Sequence, residues 1–366
     1  VRPVVIAAGG TGGHFFPAEA LAAELVRRGQ RVALFTDRRS GALASPVFEG
    51  RERFVLQGAG IAGRGVVRGA QAVAGLALGM LQARRLLVRL QASVLVGFGG
   101  YPCVAPVLAA GALRHRPAIV LHEQNAVLGR ANRMLARRAD LLALSFDVTA
   151  RVPPGVLTEV TGNPVRPPIA VLAGAPYAPP ADEVRLLVLG GSLGARVFAD
   201  VVPPTIAALP PALRGRLRVT QQCRAEDLDR VRAAYAEAGI AADLAPFFAD
   251  IACRLARAHL VIARAGASTV AELAAVGRPA ILVPLPHAID DHQTANARAL
   301  SDAGAAWLLP QPGFTQGALA NRLERVFGEP LLLEAAAARA AARGHAGAAV
   351  RLADAVEELI TQESAA

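Results

Sequence analysis

The strongest constraint on the fold is a local pattern that the chain uses twice. Val4-Val5-Ile6-Ala7-Ala8 is short, apolar and rich in β-branched residues, the mark of a buried strand. It runs into Gly9-Gly10-Thr11-Gly12-Gly13. Beyond that turn, Ala18, Leu21, Ala22, Leu25 and Val26 recur on one helical face, up to a stop at Gly29. The second half restarts in the same way, with Val184–Leu189 leading into Gly190-Gly191-Ser192-Leu193-Gly194-Ala195-Arg196. Glycines in such a strand-to-helix turn let the backbone approach a ligand, and the helix that follows adds its positive dipole end. A phosphate or a polyhydroxyl group suits that place, and so does a tight turn with no ligand at all.

Strand and helix patterns alternate throughout. Strands are expected at 4–8, 31–36, 53–57, 93–98, 118–122 and 141–145, and again at 185–189, 217–222, 243–247, 259–263, 279–283 and 305–309. Alternation of this kind predicts α/β architecture with parallel sheets covered by helices on both faces. A chain of 366 residues is long enough for two such domains. The proline-rich stretch Thr161–Pro168 is the expected boundary, giving domains over 1–163 and 164–345. Ala336–Ile360 reads as alanine-rich helix, and 346–366 is expected to pack back on the first domain.

Composition narrows the function classes. Hydrophobic residues make up 53%, which excludes a disordered chain. Basic residues number 39 against 29 acidic, a net charge of +10, and every basic residue is arginine. That balance favours anionic partners. Aromatics are 4% and do not interleave with the arginines, so no nucleic-acid partner is expected. Cys103, Cys223 and Cys253 are widely spaced, which predicts a reducing compartment and no structural zinc. No signal peptide and no membrane span is expected, only a soluble or peripheral chain.

Several motifs sit at expected strand ends. Gly97-Phe98-Gly99-Gly100-Tyr101-Pro102 is a third glycine turn. The dinucleotide fingerprint fits poorly, because Gly10-Thr11-Gly12-Gly13-His14-Phe15 ends in Phe. Gly190-Gly191-Ser192-Leu193-Gly194 matches the nucleophile elbow of α/β-hydrolases, with His287 or His292 downstream, and this is the rival reading. It leaves the first half unexplained. Asp227-Leu228-Asp229 resembles a metal clamp but lies in a charged helix pattern, so it reads as surface charge; no metal site is expected. His122-Glu123-Gln124-Asn125 places four polar residues at a strand end, either facing a ligand or satisfying one another. In Arg264–Glu272, Ser268 and Thr269 either cap a helix with Glu272 completing a capping box, or Glu272 accepts two ribose hydroxyls.

Taken together, GGTGGHFFP, GFGGYP, HEQNAVLGRANR, TGNPVR, GGSLGAR, ARAGASTVAEL and PLPHAIDDHQTANA resemble, in order and spacing, the MurG family of N-acetylglucosaminyltransferases. That family converts lipid I to lipid II in peptidoglycan synthesis. The resemblance spans nearly the whole chain. It implies a GT-B fold, two Rossmann-like domains with parallel sheets facing across a cleft. It also implies an inverting, metal-independent transfer with no cofactor. The donor would be UDP-N-acetylglucosamine. The acceptor would be the undecaprenyl-diphosphate-muramoyl-pentapeptide lipid I, met at the cytoplasmic face of the membrane.

By position in the motifs, Thr11, Gly12, Gly13 and Asn125 would touch the donor from the first domain. Arg166 and Ser192 would hold its diphosphate. Phe248 would lie by the uracil. Ala267, Ser268, Thr269, Val270, Ala271 and Glu272 would cover nucleotide and sugar, with Glu272 on the ribose. His292 and Gln293 would bind the sugar hydroxyls, although a form of the motif with two adjacent glutamines stands here as His-Gln. Gly99, Gly100, Tyr101 and His14 would meet the acceptor diphosphate. His14 is the expected general base, since an imidazole suits proton transfer near neutral pH, or it orients that diphosphate. The segment Ile61–Leu90 mixes apolar residues with arginines. Arg64 and Arg68 are its expected contacts with an anionic membrane surface, the alternative being a core helix with a solvated basic face.

Overall fold

The computed structural model describes residues 2–9, 12–38, 45–57, 66–191 and 194–365, the side chains of 66–70 and 363–365 excepted. Thr11, Ser192, Arg64 and the side chain of Arg68 therefore lie outside the described residues. The chain forms two compact units, one of Val1–Arg166 with His345–Ala366, the other of Pro167–Gly344. The crossings fall at 166–167 and 344–345, against the expected 163–164 and 345–346.

The first unit is built on β1 (Val4–Ala7), β2 (Val32–Thr36), β3 (Glu52–Val55), β4 (Val94–Gly97), β5 (Ala118–Glu123), β6 (Leu141–Leu144) and β7 (Thr158–Val160). They form one sheet in the order β3-β2-β1-β4-β5-β6-β7, and every pairing is parallel. Successive side chains of a strand point to opposite faces. Val4 and Ile6 enter one core, with Phe15, Leu21 and Leu25 of the helix Gly12–Arg27. Val5 and Ala7 enter the other, with Ala83 and Leu87 of the helix Val66–Leu90 and Val107 of the helix Tyr101–Gly111. The last helix, Ala348–Ala365, adds Leu352, Ala353 and Val356 to the first of these cores. Arg28 fixes it by ion pairs to Asp354 (2.7 Å) and Glu357 (2.6 Å).

The second unit repeats the plan with β8 (Val184–Leu189), β9 (Leu217–Gln222), β10 (Ala241–Ala245), β11 (Leu260–Ala263), β12 (Ala280–Leu282) and β13 (Ala306–Leu308), in the order β10-β9-β8-β11-β12-β13. Val184, Leu186 and Val188 pack with Phe198, Val202 and Ile206 of the helix Arg196–Ala208. Leu319, Leu323 and Val326 of the helix Gln316–Gly328 join the same core.

Three local expectations are corrected. β7 was not expected; it is three residues long, at a sheet edge and mostly exposed, so it carries little apolar signal. β10 lies two residues earlier than expected. The alanine-rich helix of 336–360 is two helices, Pro330–Ala342 and Ala348–Ala365. Gly344 breaks it where the chain leaves the second unit, and a Cβ there would stand 2.6 Å from the Ala274 carbonyl oxygen.

In both sheets the order in which strands are added reverses at an inner pair, β1/β4 in one and β8/β11 in the other, while the strands stay parallel. At such a point the chain leaves the strand ends in opposite directions, and ligands bind in the crevice that opens there. The glycine turns after β1, β4 and β8 and the Ala-Gly-Ala turn after β11 stand at these two points.

Two glycine substitutions test the packing. A Cβ on Gly79 would lie 2.1 Å from the Gln57 carbonyl oxygen, whereas one on Gly317 meets nothing within 4 Å. Gly79→Ala is expected to destabilise the first unit by about 1–3 kcal/mol, as overpacking does. Gly317→Ala is expected to stabilise the second by about 0.5–1 kcal/mol, as removal of a helical glycine does. Urea unfolding checks both. The fluorescence of Trp307, the single tryptophan, reads the second unit, and circular dichroism reads the whole chain.

Candidate active site

In the first unit, the switch point gathers His14, Gly99, Gly100 and the polar end of β5. Gly99 (φ 78°) and Gly100 (φ 69°) adopt the left-handed backbone that glycine permits. A Cβ on Gly99 would sit 3.3 Å from Asn132 Nδ2 and 3.5 Å from His14 Cε1, and one on Gly100 would sit 3.5 Å from His14 Nε2. The imidazole thus lies against this turn. Gly100 caps the helix Tyr101–Gly111 without a side-chain bond, which leaves that helix N-terminus open to a ligand, and Tyr101 is exposed. His14 Nδ1 lies 2.8 Å from Gln124 Oε1. Gly12 and Gly13 open the first helix, and the Phe16 ring beneath Gly12 carries the Arg166 guanidinium 5.2 Å from its centroid. The structure therefore brings Arg166 to the first glycine turn.

His122-Glu123-Gln124-Asn125 is largely turned inward. Glu123 is buried, and its carboxylate accepts four bonds: Asn125 N–H (3.0 Å), Asn125 Nδ2 (3.0 Å), Gly129 N–H (2.9 Å) and Asn132 Nδ2 (2.9 Å). It staples the β5 loop to the helix Arg130–Leu135. Asn125 is partly exposed at the rim of this staple. His122 is fully buried beside Phe98, and burial pushes its pKa down to about 4 against a weaker upward pull from the Gly162 carbonyl.

In the second unit, Gly191 (φ 79°) and Gly194 (φ 69°) flank Ser192, and the helix begins at Arg196. Gln222 clamps the turn, accepting from Gly190 N–H and donating to the carbonyls of Gly191 and Pro246, each at 3.1 Å. Beyond β11, the helix Ala267–Val276 is capped by Gly266, and no side chain caps it. The capping box through Ser268, Thr269 and Glu272 therefore does not form, because these residues stand inside the helix. Ser268 Oγ is buried and has no hydrogen-bond partner among the described residues. An open helix N-terminus beside an unpartnered hydroxyl is a receptor for an anion. Val270 is buried, Ala271 is half-buried, and Glu272 is 8% exposed in the second turn.

The neighbouring loop supplies further donors. Arg264 is buried under Phe198 and donates to the carbonyls of Val283 (3.1 Å) and Pro284 (3.0 Å), so it holds the backbone in place. His287, Asp290 and Asp291 all have positive φ, a strain that clusters at functional loops. His292 Nδ1 donates to the Ile289 carbonyl (2.7 Å). Gln293 Oε1 accepts the Leu285 N–H (2.9 Å), so the amide group of Gln293 remains as a donor. Phe248 is buried, with the Arg254 guanidinium 4.1 Å over its ring, while Phe247 is 70% exposed. In the Asp-x-Asp pair, Asp229 is exposed as expected, but Asp227 is buried and paired with Arg230 at 2.7 Å. Among the described residues, no group of three His, Cys, Asp or Glu side chains stands together as a metal site.

Residues 4–143 match the glycosyltransferase family 28 N-terminal domain, and 185–353 match the family 28 C-terminal domain. A UDP-N-acetylglucosamine–N-acetylmuramyl-(pentapeptide) pyrophosphoryl-undecaprenol N-acetylglucosamine transferase of Granulibacter bethesdensis is 64% identical over 98% of this chain and 94% of its own. The enzyme of the same name from Acidiphilium cryptum is 55% identical over 99% and 98%. The crystal structure of Acinetobacter baumannii MurG superposes with a TM-score of 0.78 at 30% identity, over 98% of this chain and 100% of that one. The chain belongs to the MurG family, within glycosyltransferase family 28. Its fold is GT-B. The calicheamicin glycosyltransferase CalG4, at 17% identity and a TM-score of 0.65, shares the fold alone. Family membership overturns the hydrolase reading of Ser192, since the whole chain is accounted for as a glycosyltransferase.

Sequence reasoning left open whether His122, Glu123, Gln124 and Asn125 face a ligand or satisfy one another, and the structure shows Glu123 as an inward staple and His122 buried. The signal available was weak: four polar residues after an apolar run look alike whether they face a ligand or one another. The burial of His122 has a measurable consequence. With its folded pKa near 4 and an ordinary value of 6.5, the native state binds fewer protons than the unfolded chain between those limits. Stability from His122 is complete above about pH 6.5 and falls as pH drops towards 4, by roughly 2–3 kcal/mol. His345 in the same unit is pushed down by burial too and adds to the slope. Urea unfolding at pH 7.5 and 4.5 is expected to show this loss, and His122→Gln is expected to flatten it.

Proposed function

We propose that this protein transfers N-acetylglucosamine from UDP-N-acetylglucosamine to the muramoyl 4-hydroxyl of the lipid-linked pentapeptide precursor, converting lipid I to lipid II. The proposal carries the activity named for the 64%-identical relative to this chain. The observation that supports the residue roles is the pairing of each glycine-flanked switch point with an uncapped helix N-terminus.

In this reading the second unit holds the donor. The open N-terminus of Ala267–Val276, Ser268 and the Gly190–Gly194 turn with Ser192 face the diphosphate. Glu272 accepts ribose hydroxyls, and His292 Nε2 and the Gln293 amide bind the sugar. The Phe247–Phe248 pair lies by the uracil, with exposed Phe247 the better placed to stack. The first unit receives the acceptor diphosphate at Gly99, Gly100 and Tyr101. The acceptor O4 bonds to the anomeric carbon from the face opposite UDP, and the bond from that carbon to the phosphate oxygen breaks. Its electron pair leaves with UDP, and the O4 proton passes to His14. Helix N-termini and hydroxyl donors stabilise the charge that grows on UDP, so no step calls for a metal ion.

The acceptor's lipid requires a membrane-facing surface, which we place at the cytoplasmic membrane face on the helix Val66–Leu90. One side of that helix buries Ala83, Leu87 and Leu90. The opposite side exposes Val73, Leu81 and Val88 beside Arg84, Arg85 and Arg89. Apolar residues bordered by arginines suit the interface of an anionic bilayer. No described helix is long and apolar enough to cross a membrane.

Donor-saturation kinetics test the roles. Glu272→Gln is expected to raise KM for UDP-N-acetylglucosamine about tenfold or more with a smaller fall in kcat, as loss of a charge-assisted ground-state bond does. His14→Ala is expected to lower kcat by about 10²–10⁴ with the donor KM little changed. An unchanged kcat would remove His14 from the chemistry.

Vesicle co-sedimentation tests the surface. Charge reversal at Arg84 and Arg85, alone or with Arg64 and Arg68, is expected to weaken binding to anionic vesicles at low salt. Each arginine near the surface is worth about 1 kcal/mol. Turnover of a water-soluble acceptor is expected to be spared. Equal binding of wild type and variant would place the electrostatic contact elsewhere.

A further inference from the structure

His14 is not held by a carboxylate, the usual partner of a histidine base. Its Nδ1 faces Gln124 Oε1 at 2.8 Å. Gln124 Nε2 in turn lies 2.9 Å from His122 Nδ1 and 3.0 Å from the His122 main-chain oxygen. His122 Nε2 lies 3.0 Å from the Gly162 carbonyl oxygen. The chain of bonds ends on a group that only accepts, and that end fixes every proton along it.

A carbonyl oxygen accepts, so His122 Nε2 carries the hydrogen. His122 is fully buried and neutral at working pH, so its Nδ1 is a bare acceptor. Gln124 therefore presents its amide nitrogen to that Nδ1. The His122 main-chain oxygen enforces the same orientation, since a flipped amide would set two oxygens together. Gln124 then presents Oε1 to His14, and Oε1 only accepts. The hydrogen of neutral His14 must be on Nδ1, and the lone pair must be on Nε2, the nitrogen against the Gly100 turn.

We propose that Gln124 and His122 are positioning residues that lock His14 as the Nδ1–H tautomer, with Nε2 kept as the proton acceptor for the attacking hydroxyl. This rests on the reading of His14 as the base. When Nε2 takes the O4 proton, the imidazolium keeps its Nδ1–H bond to Gln124. The proton goes no further, because an amide oxygen is not basic and His122 stays neutral. A neutral partner orients the ring without setting a negative charge beside it. That suits a site whose acceptor and leaving group both carry diphosphates. The neighbouring carboxylate, Glu123, is bonded to Asn125, Gly129 and Asn132.

The test reads the protons directly. In the full chain labelled with ¹⁵N-histidine at pH 8, the His14 nitrogens are identified by their loss in His14→Ala. We expect Nδ1 with a protonated-type shift and Nε2 with a bare-type shift. In Gln124→Met the single tautomer is expected to give way to a mixture, and kcat to fall about tenfold or more with the donor KM within about twofold. Gln124→Glu keeps an oxygen towards Nδ1 and is expected to retain the Nδ1–H form, with kcat above that of Gln124→Met but below wild type, because it loses the donor to His122 and sets a charge beside the ring. A merely structural role for Gln124 would not tie the tautomer to that oxygen.

A wild-type His14 protonated mainly on Nε2 would overturn the proposal without any variant. So would Gln124→Met with tautomer and kcat unchanged while His14→Ala is inactive, an outcome that leaves His14 as base. Full turnover by His14→Ala would instead remove the base reading on which the inference stands.

Discussion

Parallel strands send all their carboxyl ends to one edge of a sheet, and the rest of this molecule depends on that. Where the crossovers diverge, at β1/β4 and β8/β11, the strand order opens a crevice at the strand ends. Backbone amides there meet whatever binds. Glycines occupy these turns because the chain must adopt left-handed backbone at Gly99, Gly100, Gly191 and Gly194. Helices starting at Gly12, Tyr101 and Ala267 then point their N-termini at the same places. A fold that makes two such edges has two receptors for anions before any charged side chain is added.

Side chains refine this plan in two ways. Some are spent on the scaffold. Glu123 ties a loop to a helix through four donors, and Arg264 holds two carbonyls of the strand-end backbone. Others keep unused capacity towards the site. Ser268 Oγ has no partner among the described residues, and Gln293 gives up only its oxygen. Buried polar groups are normally satisfied, so unused capacity at a ligand-facing edge is informative. His14 belongs to both groups: one ring nitrogen is tied to the scaffold and the other lies against the Gly100 turn.

Much of this was legible in the sequence, and the limits have physical causes. Buried strands such as Val4–Ala7 and Val184–Leu189 announce themselves by continuous apolar runs, and both glycine turns are local. The edge strand Thr158–Val160 is too short and too exposed to do so. The helix expected across 336–360 is interrupted because Gly344 packs on Ala274, a contact no local pattern encodes. Phe248 and its neighbour Phe247 are equivalent by composition, and only the fold shows that Phe248 is the buried one, under the Arg254 guanidinium. The capping box fails by register, since Gly266 already caps the helix. The partner of His14 lies 110 residues away in the chain, beyond the reach of any local pattern. Thr11 and Ser192, named by their motifs, lie outside the described residues.

The most direct measurement is a single reaction. The full chain is mixed with labelled UDP-N-acetylglucosamine and a short-chain lipid I analogue, with EDTA present, and the product is resolved by mass and by the proton coupling at its new anomeric centre. The account predicts one N-acetylglucosamine added per acceptor, a β linkage to the muramoyl 4-oxygen, and stoichiometric UDP. Folded protein that releases only free N-acetylglucosamine, forms an α linkage, or leaves the acceptor unchanged would contradict it.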